Sequence, residues 1–322
     1  MREPRIVVVG SHVQGLFMRV DHFPTADETV LGWGYKEALD GGKGSHQAIA
    51  CARLGVPTSF IGCVGRDRFG DRGAGWMHDA GVDLTYLKRT GHTATGTGFV
   101  MINPQGVAAI TTAMGANAEL CEEDLDDAEE LIARSTIMLV TFEIPVQIAL
   151  YATWLGKRHE LTVILTPGPA EPLEPSAFNA VDILVPNEPE AKTLLAKGPA
   201  SEVTQEKLVK GCQEKFCLRR VVMTVGEQGA VVADGDTLYR VPAVPVEVVD
   251  TPGAGDAFTA GMAVALLQGR SLREAVHFGC ITGAYAVTLR ESIPGFPTLE
   301  QLEAFAAKHG LELPALAADK QA

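Results

Sequence analysis

No run of 18 apolar residues occurs in the chain, so nothing in it is long enough to cross a bilayer as a helix. Met1-Arg2-Glu3-Pro4 leads into only a short apolar stretch, without the core of a secretory signal. Cysteine is scarce: Cys51, Cys63, Cys121, Cys212, Cys217 and Cys280, with no C-x-x-C pair among them. That spacing offers neither a disulfide framework nor a zinc site, and reads as reduced core thiols in a cytoplasmic protein. Positive charge is in deficit too, 27 Lys and Arg against 40 Asp and Glu, for a net charge of −13. Nucleic acid and anionic membrane surfaces are therefore poor partners. A small anion is still admissible, because a ring of backbone N–H groups holds phosphate inside an acidic protein. Two nucleotide motifs are also missing. There is no G-x-x-x-x-G-K-[ST], and no G-x-G-x-x-G after the first strand with an acid ~20 residues on, which excludes a P-loop and makes a dinucleotide Rossmann unit a poor reading. Repeats, heptads and low-complexity tracts are absent.

What is present suits one large α/β domain or two ordinary ones: 322 residues, 46% of them hydrophobic. The 34 glycines exceed the usual ~7% share and imply tight turns or close backbone approaches to a ligand. Residues 6–10 form a short apolar run that predicts a buried first strand. Stretches 29–35, 97–102 and 107–113 alternate with period two, and together predict a small, lighter β layer apart from the main core. From about residue 119 helical patterns (122–134, 146–157, 188–196, 204–216, 254–268, 272–289 and 299–309) alternate with apolar runs (136–142, 162–165, 183–185, 221–225, 230–233 and 244–249). Such alternation predicts an α/β fold, a mainly parallel sheet flanked by helices.

The sharpest motif is Asp250-Thr251-Pro252-Gly253-Ala254-Gly255-Asp256, entering a helix. Small residues at 253–255 leave N–H groups bare at a helix N-terminus, an anion site made of unpaired donors and the helix dipole. An aspartate there adds negative charge where phosphate would sit, which suggests a base that takes a hydroxyl proton as the phosphoryl group arrives. The plainer alternative is that Asp256 only complements the helix end. A second glycine-rich segment, Asp40-Gly41-Gly42-Lys43-Gly44-Ser45-His46, leads into a helix expected over 49–54, and reads either as a ligand approach or as a mere turn.

At these segments the chain resembles the ribokinase-like (PfkB) family of carbohydrate kinases, from Val9-Gly10-Ser11 to about Phe305. The family's D-T-x-G-A-G-D is complete in 250–256, and its G-G-K-G-x-N is present except for His46 in place of asparagine. Pro186-Asn187-Glu188-Pro189-Glu190 is similar to its N-x-x-E segment, and Thr224-Val225-Gly226-Glu227-Gln228-Gly229 to its nucleotide loop. The resemblance implies an ATP- and Mg²⁺-dependent sugar kinase with a small β-sheet lid at 12–37 and 95–113, a core at 1–11, 38–94 and 114–310, and a tail at 311–322. It implies Asp256 as general base, and Gly253, Ala254 and Gly255 as the hole for the transferring phosphoryl group. Gly42, Lys43, His46 and Glu143 would meet the sugar. Asn187, the run from Thr224 through Val225, Gly226, Glu227 and Gln228 to Gly229, Gly255 and Cys280 would meet ATP. Glu190 would hold Mg²⁺ through water, and carbonyls of Asp250, Pro252, Ala286 and Leu289 could bind K⁺. Read without the resemblance, 187–190 is a helix start with acids in its first turn, and Cys280 a buried thiol.

Departures from the family pattern concern the acceptor. Where ribokinases read G-S-x-N-x-D, this chain has Gly10-Ser11-His12-Val13-Gln14-Gly15, so an amide and a carboxylate are missing. His12, Gln14 and His46 are the polar substitutes at hand. Three functions are consistent: a sugar kinase, a nucleoside kinase of the adenosine kinase type, or a non-catalytic sugar-binding regulator, against which the intact 253–256 turn speaks. The resemblance also implies a homodimer clasped through the lids, since a sheet of two or three strands cannot bury both faces alone.

Overall fold

A computed structural model describes residues 5–313. Its strands are β1 Ile6–Val9, β2 Val13–Arg19, β3 Trp33–Glu37, β4 Thr58–Gly65, β5 Leu87–Thr90, β6 Gly96–Ile102, β7 Ala108–Ala113, β8 Ile137–Thr141, β9 Thr162–Thr166, β10 Ile183–Leu184, β11 Arg220–Thr224, β12 Ala230–Asp234 and β13 Thr237–Val241. Nine make one sheet in the order β13-β12-β11-β10-β9-β8-β1-β4-β5, in which β12 is antiparallel to its neighbours and the strands from β11 to β5 run parallel. Every residue of β1, β4 and β8 is buried. In β1 and β8 that follows from near-continuous Val, Ile and Leu content, the pattern of a parallel sheet covered on both faces, whereas β4 lies between the same layers with small residues among Phe60, Ile61 and Val64. One apolar layer holds Phe60, Met262 and Phe278, and the layer on the other face Leu125, Met138 and Phe216. The second sheet, β3-β2-β6-β7, has four strands and stands apart from the first.

Several boundaries depart from the sequence pattern. No strand forms over 244–249; Val248 and Val249 are 58% and 49% exposed. Pro242 and Pro245 remove ladder donors within and beside that Val-rich run. The strand expected at 29–35 starts only at Trp33, and Leu31 is solvent-exposed. The helix expected at 122–134 is broken at Ala128 into Glu122–Asp127 and Glu129–Arg134. The helix expected from 49 already begins at Gly42 and runs to Arg53, so the glycine motif is its first turn rather than a preceding loop. β2, β4, β5, β13 and the helix Arg68–Asp79 have no counterpart in the sequence reading. Four cysteines are buried as expected, but Cys121 is half-buried and Cys217 exposed. Most of the tail expected at 311–322 lies outside the described residues. No helix among the described residues is long and apolar enough to cross a membrane.

Candidate active site

Parallel strands bring their C-terminal ends to one edge, and a crevice opens where successive connections leave in opposite directions. Here that point is the β8–β1 pair: from β1 the chain continues to β4 and β5 on one side, and later to β8, β9 and β10 on the other. Gly10 and Ser11 follow β1, Phe142 and Glu143 follow β8, and Gly168 follows β9. The start of the helix Gly42–Arg53 packs into this point. A side chain on Gly44 would put its Cβ 2.5 Å from the Ser11 nitrogen and 2.7 Å from the Gly10 carbonyl carbon, so only glycine allows the approach.

Asp256 is in the first turn of the helix Ala254–Leu267 and only 6% exposed. Gly253 precedes it with φ +79°, and a Cβ there would lie 2.9 Å from the Ser292 Cβ and 3.1 Å from the Phe296 ring. A left-handed turn wedged against two side chains demands glycine. Helix geometry leaves the first N–H groups without intrahelical acceptors; that of Ala254 leans on the Thr251 carbonyl at 3.3 Å. A Cβ on Gly255 would meet nothing within 4 Å, so space is open above the turn.

Both oxygens of Asp256 are oriented. His46 Nδ1 meets Oδ2 at 2.9 Å, and Gln47 Nε2 donates to Oδ1 at 3.1 Å. The other nitrogen of His46, Nε2, lies 2.7 Å from Asp40 Oδ1. Burial would depress the imidazole, but the two carboxylates prevail and raise it to about 10, so His46 is an imidazolium at neutral pH. In that state both ring nitrogens donate to carboxylates; the Gly41 N–H also points at Nε2, from 2.8 Å. Asp40 is pushed up by burial and pulled down more strongly by His46, and ends below the usual carboxylate range.

Lys43 stands among Asp256, Glu143 and Glu190. Burial lowers it, yet these three acids raise it overall, and its ammonium lies 4.0 Å from Glu190 Oε1. Glu143 Oε2 accepts from Ser11 Oγ at 2.5 Å and from the Lys43 N–H at 2.8 Å. A carboxylate from the end of β8 thus caps a helix that has no side-chain cap of its own. Asn187 and Glu190 form a reciprocal capping box: Asn187 Oδ1 accepts from the Glu190 N–H, and Glu190 Oε2 from the Asn187 N–H. The plain helix-start reading of this segment therefore describes one oxygen of Glu190, while Oε1 faces Lys43. Burial raises Glu190 above its ordinary value, against the pull of Lys43.

Thr224 pairs with Asn187 as a parallel bridge, which joins the 224–229 segment to this cluster. Gly229 has φ +90° and a Cβ on it would strike the Val241 carbonyl oxygen, so the turn is fixed, while Gly226, Glu227 and Gln228 lie open to solvent. Cys280 lies in the core, its thiol pushed up to about 12 by burial. The carbonyls of Ala286, Glu291 and Ser292 crowd Gly295, within 2.9–3.2 Å of where its Cβ would stand. The Asp250 side chain accepts from the N–H groups of Thr251 and Glu291.

Of the three polar substitutes, only His46 reaches the cluster. His12 is buried against Gly73 and Ser45 and held neutral, lowered to about 4 by burial. Gln14 spends its amide on the carbonyls of Gly15 and Ala38. Sequence reasoning missed Asp40, Gln47, Ser11 and Ser292. Asp40 and Gln47 adjoin the G-G-K-G motif, but their partners Ser292 and Asp256 lie more than two hundred residues away, and only folding joins them.

Residues 3–299 match the profile of the pfkB family of carbohydrate kinases. A ribokinase of Haemophilus influenzae is 31% identical over 296 residues, covering 92% of this chain and 96% of that protein. A deoxyribokinase of Salmonella typhi is 29% identical over 301 residues, covering 93% and 98%. Among solved structures, the Arabidopsis thaliana ribokinase complexed with ribose and ATP aligns with a TM-score of 0.85 at 29% identity, over 95% of this chain and 99% of that one.

Proposed function

The chain belongs to the pfkB family of carbohydrate kinases, ATP-dependent phosphotransferases, and from that premise we propose that it transfers the γ-phosphoryl group of ATP to a hydroxyl of a sugar or sugar derivative at the β8–β1 crevice. The observation that carries the reading is Asp256, a buried carboxylate held at both oxygens in the first turn of a helix whose N–H groups have open space above them. The Arabidopsis relative, whose structure is complexed with ribose and ATP, supports a site that takes a sugar and ATP together.

In this reading Asp256 takes the proton of the acceptor hydroxyl. The acceptor oxygen bonds to the γ-phosphorus while the bond from phosphorus to the bridging oxygen breaks and ADP leaves with that electron pair. The turn Gly253-Ala254-Gly255 faces the charge that builds on the transferring group. Lys43 adds a buried cation beside it. Gly42, Glu143 and His46 line the acceptor side, and Asn187 and the 224–229 segment the nucleotide side, with Cys280 beneath the adenine. Mg²⁺, when bound, would neutralise phosphate charge; Glu190 Oε1, which lies outside the capping box and faces Lys43, would meet its water shell. Carbonyls of Asp250, Pro252, Ala286 and Leu289 would take K⁺. A cytoplasmic site of action, where ATP is supplied, goes with this reading.

Val13 and Gly15 supply no polar side chain where a pentose hydroxyl would be read, and a site that loses such partners loses discrimination. Release of ADP across pentoses, deoxypentoses, hexoses, polyols and sugar acids is therefore expected to peak on an acceptor other than D-ribose. A panel led by D-ribose in kcat/KM would overturn that assignment, and a panel with no acceptor-dependent release would overturn the kinase reading itself.

The small sheet leaves Trp33, Tyr35, Phe99 and Ile110 at 48%, 58%, 40% and 67% exposure. So much apolar surface on a thin sheet favours a self-complementary partner. We propose a homodimer through β2, β3, β6 and β7. Sedimentation equilibrium is expected to give twice 34.2 kDa for the wild type and the single mass for Trp33→Asp. A wild-type chain of single mass at micromolar concentration would remove the dimer.

A further inference from the structure

Asp40 lies in the segment that links the two sheets, between β3 and the helix Gly42–Arg53. One of its oxygens, Oδ1, accepts from Ser292 Oγ at 2.9 Å and pairs with His46 Nε2 at 2.7 Å. The other, Oδ2, has no hydrogen-bond partner among the described residues, although the side chain is only 22% exposed. It lies over Gly15 of β2: a Cβ on Gly15 would come within 2.7 Å of Oδ2 and 3.0 Å of the Asp40 Cβ. The carboxylate thus fills the place a side chain at position 15 would take. The backbone here is laced together, Val13 N–H to the Gly41 carbonyl at 2.8 Å and Ala38 N–H to the Gly15 carbonyl at 3.0 Å, so the placement is not a loose loop's. Oδ2 is not among the fully buried unpartnered atoms, so a donor from outside the protein, water or a ligand hydroxyl, can reach it.

We infer that Asp40 Oδ2 is the acceptor-binding carboxylate of this protein, which takes a hydroxyl of the sugar in the space that glycine at position 15 vacates. The inference rests on the sugar-kinase reading above. His46 gives the arrangement its second consequence. Its imidazolium joins Asp40 to Asp256, so the group that grips one hydroxyl and the base that deprotonates another share one rigid bridge. Val13, buried beside Gly42 and without a polar atom, forms the neighbouring wall. The fitting acceptor therefore presents one hydroxyl to Asp40 and an apolar or deoxygenated edge to Val13. Among simple probes 2-deoxy-D-ribose has such an edge and D-ribose does not.

Kinetics of Asp40→Asn in the full chain test this, with 2-deoxy-D-ribose, D-ribose and the best acceptor of the panel, each against saturating ATP. The expected result is a rise of roughly 10- to 100-fold in KM for the best acceptor, the scale of a lost hydrogen bond to a charged group. KM for ATP should stay within about twofold, because Asp40 lies on the acceptor side alone. Moving the carboxylate back, in Asp40→Gly combined with Gly15→Asp, should recover at least a tenth of the lost kcat/KM. Unchanged acceptor KM in Asp40→Asn, or equal loss for acceptor and ATP, would overturn the inference while leaving the kinase reading intact. A wild-type protein that phosphorylates no acceptor would instead overturn the reading beneath it, and the inference with it. A thermal melt of Asp40→Asn near that of the wild type separates recognition from folding; if Asp40→Asn loses its fold, a folded double variant without recovered acceptor kcat/KM counts against the inference.

Discussion

Asp256→Asn is expected to lower kcat by roughly 10²–10⁴, the usual worth of a positioned acid–base group. The change swaps one oxygen for nitrogen and keeps the shape, so both substrates should still bind. Gln47 Nε2 can still donate to the remaining oxygen, and the helix start keeps its open N–H groups. KM for the acceptor and for ATP should therefore move by only a few-fold, which marks an interaction made in the transition state alone. One repulsion is new: the His46 imidazolium, at 2.9 Å from Oδ2, would meet an amide if the nitrogen occupies that place. If the amide turns its oxygen to His46, its NH2 faces Gln47, whose otherwise unpaired Oε1 can accept from it once that side-chain amide flips, so folding should survive, and a melt would verify that. Turnover within a few-fold of the wild type would remove Asp256 as the base.

His46→Leu is expected to be the most damaging single change to stability. The imidazolium lies between two carboxylates with its own side chain only 4% exposed. Removing one member of a buried charged set leaves the others uncompensated, at a cost of about 3–5 kcal/mol. Total stability of a domain is only about 5–15 kcal/mol, so the loss is severe, on the order of 10 °C in melting temperature. His46→Asn, which keeps a donor for one carboxylate, should cost less. The effect carries a pH signature. The imidazole titrates at 6.5 when unfolded and at about 10 when folded, so in between the native state holds more protons. The stability that His46 adds is thus fully present below pH 6.5 and is lost as pH rises through about 10. Asp40 and Asp256 face the ring directly, and His12, also close by, stays neutral throughout that window. Urea melts of wild type and His46→Leu should therefore converge as pH climbs; a gap constant from pH 6.5 to 10 would show that His46 is not a buried cation.

Much of this was legible in the sequence for a simple reason. The phosphate-facing turn is local: its glycines, its aspartate and its helix are consecutive, so 250–256 carries its chemistry in one line of text. The alternating helices and strands after residue 119 were equally plain, since each element buries its own periodic face. Failures came where neighbours decide. The Val-rich 244–249 run looked like a strand, but prolines remove its donors and no ladder receives it. β2 escaped notice because Gln14 and Gly15 break its apolar pattern, and both are shaped by the 38–41 segment they touch. His46 stands out as a departure from the family motif, whereas Asp40, in the same segment, carries no such mark. Its meaning depends on Gly15, Ser292 and His46 converging on it, and no spacing in the chain announces that meeting.

Phosphoryl transfer to a sugar hydroxyl leaves a product of known added mass, which mass analysis reads. Wild-type protein is mixed with ATP, Mg²⁺ and the acceptor that released most ADP, and both products are quantified. A sugar kinase yields one acceptor molecule, heavier by one phosphoryl group, for each ADP formed, and almost no ADP when the acceptor is left out. ADP formed without a phosphorylated acceptor, or at the same rate with and without it, would mean that this protein is not a sugar kinase.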